Sequence, residues 1–179
     1  MRVSKRELIL TSIRTIVERD GITALTFDAV AAETGITRGG ILYHFPSREA
    51  LVRAANEFAA NGWEASLSEK LGKDRDEASA AERLIAYVKV AAVSVDRSDL
   101  ALIMESATDP TMGGFWVETY DRWVEASPDP NDDASMLAFI ARLAADGLWL
   151  HDALLSRPLP EATKAKVIER LVAMISRTA

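Results

Sequence analysis

Apolar positions along this chain recur three and four residues apart, and strand-like alternation is nearly absent. That is the pattern of helices that each bury one face. Ile9, Ile13, Ile16 and Val17 form such a stripe near the N-terminus, and Leu25 and Phe27 follow as a facing surface. Breaks fall at RDGI (19–22), ETGI (33–36), FPS (45–47), LGKDRDEAS (71–79), DRSD (96–99), SPDPNDD (127–133) and SRPLPE (156–161), all clusters of turn-forming residues. Start signals follow several of them. Ser4-x-x-Glu7 and Ser79-x-x-Glu82 have the capping-box spacing, and Ser47 after Pro46 is a good N-cap. The chain therefore reads as all-α, with about nine helices at 4–20, 27–34, 37–44, 47–70, 79–95, 99–108, 111–126, 132–155 and 160–177. The first three are short and joined by very short turns, unlike those that follow. This contrast predicts a small three-helix head over residues 1–46 and a larger helical body over 47–179.

The stretch TGITRGGILYHFPSREAL, residues 34–51, carries the candidate chemistry of the head. The helix at 27–34 ends at Gly35, a residue suited to the left-handed backbone of a tight helix end. Ile36 follows as an apolar plug, and Thr37 is placed to cap a second short helix whose inward residues are Ile41 and Phe45. Ala31 is small where two helices would cross closely. Together these are the requirements of a helix-turn-helix, whose second helix lies in the major groove of DNA. Gly39 and Gly40 then have a purpose. Each glycine costs a helix about 1 kcal/mol relative to alanine, and losing both side chains lets the backbone approach the groove. Arg38 is the candidate reader of a base edge, because its fork matches guanine O6 and N7. Thr37, Tyr43 and His44 suit phosphate oxygens, as do Thr26 and the Ser47–Arg48 start of the next helix. Tyr43 and His44 also read as packing residues, and a Gly-Gly pair also suits a helix crossing.

Charge narrows this picture. The net charge of −6 is spread unevenly: residues 1–57 hold eight Lys or Arg against seven Asp or Glu, and the remaining 122 hold thirteen against twenty. An acidic body repels phosphate, so the N-terminal part is the plausible DNA-facing surface. The chain has no cysteine, which excludes disulfides and thiolate chemistry. The start MRVSKRELIL places charges where a signal peptide needs an apolar run, and LIAYVKVAAVSV and MLAFIARLAADGLWL are interrupted by Lys89, Arg142 and Asp146. A soluble, cytoplasmic protein without membrane contact is expected.

GITALTFDAVAAETGITRGGILYHFPSREALVRA, residues 21–54, resembles the N-terminal DNA-binding region of the TetR family of transcriptional regulators, and the Phe-Pro-Ser-Arg-Glu-Ala-Leu run is its most specific part. The remainder is similar to that family in length and helical pattern. The resemblance implies a dimer that reads a palindromic operator in double-stranded DNA. It also implies C-terminal helices that form the dimer interface and a small-molecule pocket, with the effector shifting the two heads apart and releasing DNA. It places Thr26, Thr37, Arg38, Gly39, Tyr43, His44 and Arg48 on or beside DNA-contacting positions. In one respect the chain departs from the family: many members have a tyrosine where this chain has Leu42, and here the tyrosine is Tyr43. One residue turns a helical side chain by about 100°, which leaves either residue facing phosphate; Tyr43 is favoured because leucine suits the interior.

In the body, Trp116, Tyr120 and Trp123 fall at i, i+4 and i+7, a spacing shared by core stripes and pocket walls. Pro110, Gly113, Gly114, Met104 and Met112 nearby suggest a helix interruption that opens a cavity. A small, largely apolar effector is expected near Trp63, Met104, Phe115, Trp116, Tyr120 and Trp149. The segment 132–155 is apolar nearly all round, and 160–177 carries Ala165, Ile168, Leu171, Val172 and Ile175. Two such helices per subunit predict a homodimeric four-helix interface, the other reading being an internal core pair. Asp146 within that run is either buried and paired or facing solvent.

Catalysis is not expected. The two histidines, His44 and His151, are far apart, and no His-x-x-x-His, phosphate-cradling Gly loop or nucleophile elbow is present. No metal or cofactor is called for; His151-Asp152 alone makes no metal site. Two other readings share the fold: a helical protein-interaction adaptor with a non-functional helix-turn-helix, and a transcriptional activator in place of a repressor.

Overall fold

The computed structural model describes residues 4–92, 97–107, 110–124, 127–155 and 159–177, with the side chains of 110–113 left aside. Among the described residues there are nine α-helices and no strand. They are α1 (Lys5–Asp20), α2 (Phe27–Thr34), α3 (Arg38–His44), α4 (Arg48–Leu71), α5 (Ala80–Ala91), α6 (Arg97–Ser106), α7 (Pro110–Trp123), α8 (Asp133–Leu154) and α9 (Glu161–Ser176), with a 3-10 turn at Ile22–Ala24. The helix ends expected at 95, 108 and 126, and the side chain of Met112, lie outside the described residues. Among the described residues no helix is long and apolar enough to cross a membrane.

The caps explain where helices begin. The Ser4 hydroxyl accepts from the Glu7 amide at 3.1 Å. Ser79 and Glu82 close a reciprocal capping box, satisfying two donors that a helix start otherwise leaves orphaned. Ser47 accepts from the Ala50 amide at 3.1 Å and starts α4 immediately after the Phe45–Pro46 break.

The chain divides into two compact units, Met1–Asn61 with Asp96–Val117, and Gly62–Val95 with Glu118–Ala179. In the first, the α1 stripe of Ile9, Ile13, Ile16 and Val17 is fully buried with Leu25, Val30, Ile41, Phe45, Leu51 and Leu102. Helix α6 packs on α1, tied there by an ion pair of 3.3 Å between Arg14 and Asp99 and by the Ser98 amide donating to Glu18 at 3.1 Å. Asn56 is completely buried: its Nδ2 donates to the Val52 carbonyl and its Oδ1 accepts from the Trp116 indole at 2.8 Å. A buried amide satisfied in this way fixes the position of α7 beside α4 instead of costing stability.

In the second unit α5 packs on α8 and α9, which pack on each other. Trp123 is fully buried and donates to Glu64 at 3.1 Å. Arg122 grips the same carboxylate through two bonds of 2.9 and 2.6 Å and holds its pKa below the ordinary value. Buried Asp152 near the end of α8 pairs with Lys164 of α9 at 2.6 Å and accepts from the Leu159 amide.

Candidate DNA interface and ligand cavity

The helix-turn-helix forms as the local chemistry requires. Gly35 closes α2 with φ of 70°, in the left-handed region, and its amide returns to the Ala31 carbonyl at 2.9 Å. Thr26 and Thr37 are the N-caps of α2 and α3, accepting from the Ala29 and Gly40 amides at 3.1 and 3.2 Å. Each hydroxyl uses one lone pair on the fold and keeps its proton for an outside acceptor such as a phosphate oxygen. Ile41 and Phe45 are buried as their spacing predicts, and Ile36 packs against the same core.

The two glycines differ. A Cβ at Gly39 would meet nothing within 4 Å, so nothing inside the protein demands that glycine. A Cβ at Gly40 would lie 3.0 Å from Ile36 Cγ2 and 3.2 Å from Thr37 Oγ1. Gly40 therefore has an internal reason that sequence reasoning missed: it clears space for the apolar plug and the capping hydroxyl.

Tyr43 is 85% exposed, whereas Leu42 is half-buried. Edge-on packing of the Tyr43 and His44 rings, with centroids 5.2 Å apart, holds the phenol on the outer surface. Arg38 is exposed and bonded through Nη1 to both Asp28 oxygens at 2.9 Å, over the Phe27 ring at 5.9 Å. Asp28 lies on α2, ten residues before Arg38, a pairing that no local spacing reveals until α2 and α3 cross. Arg48 is half-buried, pairs with Glu105 of α6 at 2.9 Å and donates to the Ile22 carbonyl at 3.4 Å.

The six residues named for the effector are divided between the two units. Met104, Phe115 and Trp116 belong to the first unit, and Trp63, Tyr120 and Trp149 to the second. Met104 is 65% exposed, Phe115 lies under Arg53 at 5.6 Å, and Trp116 is anchored on Asn56. Trp63 and Tyr120 both meet the Tyr87 ring edge-on, at 5.4 and 6.0 Å. Tyr87 in turn donates a short hydrogen bond to Asp146, which pairs at 3.9 Å with the buried Arg142. Asp146 is thus the partly buried, paired alternative of the two that the sequence left open. Burial raises its pKa, against the opposing pull of the Tyr87 bond and Arg142. Burial, with Asp146 nearby, also pushes the Tyr120 phenol up to about 12.

A cavity of about 500 Å³ opens elsewhere in the second unit, between the start of α5, the end of α7 and the first half of α8, and none of the six lines it. Its walls include Leu84, Trp123, Val124, Ala138 and Phe139, with Arg83 and Arg142 among them. Sequence reading missed it because its lining comes from residues far apart in the chain, none in a recognisable motif. Along α8 a separate broad stripe of Leu137, Ile140, Leu143, Leu150 and Leu154 is exposed, with small Ala144 and Gly147 between them. Among the described residues no group of three or more His, Cys, Asp or Glu is placed to hold a metal.

Family comparisons agree with this geometry. A model described as bacterial regulatory proteins, tetR family, matches residues 9–55. A tetracyclin repressor-like C-terminal domain model matches residues 81–176. The uncharacterized HTH-type transcriptional regulator YerO of Bacillus subtilis (strain 168) is 40% identical over 58 residues, 32% of this chain and 20% of that protein. The chain thus spans about a fifth of the length of the curated relative it matches. Among solved structures, a transcriptional regulator of Streptomyces coelicolor A3(2), SCO7518, is 26% identical over 93% of this chain and 97% of that one, with a TM-score of 0.61. A transcriptional regulator of Saccharomonospora viridis, solved in complex with choline, is 21% identical over 96% of this chain and 95% of that one, with a TM-score of 0.71. With a head that folds as a helix-turn-helix and a body matched over more than half its sequence, the chain belongs to the TetR family of transcriptional regulators.

Proposed function

We propose that this protein acts in the cytoplasm as a homodimeric repressor that binds a palindromic operator and leaves it when a small, largely apolar effector enters the helical body. In this reading residues 1–46 read DNA and residues 47–179 bind the effector and dimerise. The exposed edge of α3 carries the proposal: Thr37, Arg38 and Gly39 face outward at the helix start, and Tyr43 stands on its outer surface. A recognition helix presents its N-terminal residues to base edges in this way. Arg38 is the base reader. Thr26, Tyr43, His44 and Arg48 are the phosphate contacts, and Gly39 and Gly40 allow close approach.

The exposed α8 stripe supports the dimer. Apolar side chains left in water at one helix face, with Ala144 and Gly147 permitting close contact, suit an isologous interface with α9 beside it. A protein of the same fold bound to choline supports a small-molecule effector.

The test is fluorescence anisotropy of the full chain against DNA flanking its own gene, with excess nonspecific competitor and a salt series. Saturable binding that survives competitor, at two subunits per site, is the expected result. Binding abolished by competitor, followed by a random-sequence selection that enriches no motif, would instead leave the protein-only adaptor.

A further inference from the structure

We propose that Asp28 is a specificity residue of the DNA-binding head: its carboxylate aims the Arg38 guanidinium at a base edge and keeps it off the phosphates. This rests on the reading of Arg38 as the base reader and adds the residue that makes that reader selective.

The fold brings the two side chains together. Helices α2 and α3 pack on each other, and across them Arg38 Nη1 donates to both Asp28 oxygens at 2.9 Å, ten residues apart in sequence. The guanidinium carbon also lies 5.9 Å from the Phe27 ring centroid. A carboxylate on one nitrogen and a ring beneath the plane hold a long side chain that would otherwise sweep through many rotamers. Among the described residues the hydrogen bonds of Arg38 run through Nη1 alone. The edge formed by Nε and Nη2 is therefore the one left for guanine O6 and N7. Arg38 is 59% exposed and Asp28 74%, so a duplex reaches the pair without opening the fold.

Asp28 also changes what Arg38 can bind. Thr26 caps α2, so Asp28 is not needed as the cap. An acid in the first turn suits the helix dipole, but an exposed carboxylate beside the recognition helix repels phosphate. Pairing with Arg38 resolves that conflict. A lone arginine is drawn to any nearby phosphate, whereas a neutralised one gains only where two acceptors match its remaining edge. Asp28 thus gives up nonspecific affinity for selectivity at one base.

The test uses the full-length protein to select a duplex from a random pool. Anisotropy is then measured on that duplex, its single-base variants and a scrambled duplex, over a salt series. Arg38→Met should abolish the preference at one position per half-site, a loss of about fivefold to 150-fold. Asp28→Asn should lower the preference at that same position by about two- to fivefold. It should also tighten scrambled DNA and steepen the log–log salt slope by about 0.9, the value of one phosphate contact, with the far-UV spectrum unchanged. In the Arg38→Met background the same change should no longer steepen the slope. Equal effects of Asp28→Asn with and without Arg38 would reduce Asp28 to a general charge and overturn the proposal, as would an unaltered preference in Asp28→Asn. A preference that survives Arg38→Met fails the reader assignment on which the proposal stands, and a pool that enriches no motif fails the regulator reading itself. Both of those failures are seen before any Asp28 variant is made.

Discussion

Replacing Gly39 with alanine should strengthen the fold and weaken DNA binding. Gly39 is the second residue of α3, and its φ is not among the positive values found at Gly21, Gly35 and Gly72. A methyl group there meets no atom within 4 Å. Alanine is therefore unstrained, and restricting the unfolded chain gains about 0.5–1 kcal/mol. For a chain of this size that raises Tm by roughly 1–4 °C. Against DNA the same methyl occupies space the proposed groove contact needs. Forcing a group into a close-packed contact costs about 1–3 kcal/mol, so each half-site should lose roughly fivefold to a hundredfold in affinity. Scanning calorimetry gives the first quantity, and operator anisotropy at fixed salt gives the second. Opposite signs in the two assays cannot arise from a folding defect. Gly40→Ala is the control: its Cβ presses on Ile36 and the Thr37 hydroxyl, so stability and binding should fall together. If Gly39→Ala binds operator as tightly as the parent chain, the close-approach explanation of this glycine is refuted.

Arg38→Ala should relax the base preference at one position per half-site and cost about 1–3 kcal/mol of affinity. Its exposed pair with Asp28 is worth at most about 1 kcal/mol, so Tm should barely move; unchanged selectivity in a randomised-operator competition would remove Arg38 as the reader. Leu143→Glu places a charge on the exposed α8 stripe, and light scattering should show monomers that retain a helical spectrum. A dimer surviving that change would put the interface elsewhere. Asp152→Ala leaves buried Lys164 with only the exposed Glu161 carboxylate, at 3.7 Å, to pair with among the described residues and should destabilise by up to about 3 kcal/mol. Lys164 holds the Asp152 carboxyl below its ordinary value. The stability from this pair is therefore full above an unfolded carboxylate's pKa of about 4 and is lost as pH falls through the lower folded value. Asp152→Asn should flatten that acid limb of the unfolding profile, and an unaltered limb would show that the pair does not titrate with folding.

The sequence by itself determined the local structure. Helix period, capping boxes, the left-handed Gly35 and the buried positions of Ile41 and Phe45 follow from forces acting within three or four residues. For the same reason the short head was legible in detail: its turn chemistry, plug and caps are contiguous. What tertiary structure decided is how distant elements meet. It separated the two glycines, giving Gly40 a packing reason and leaving Gly39 without one. It seated Trp116 on the buried Asn56 amide and Trp123 on Glu64, so one aromatic stripe became two anchors in two compact units. It also built the cavity from residues far apart in the chain, Ala80 to Ile175. Periodicity records which face of a helix turns inward, but not which partner arrives there, because that partner is chosen by volume and hydrogen-bond satisfaction across the fold.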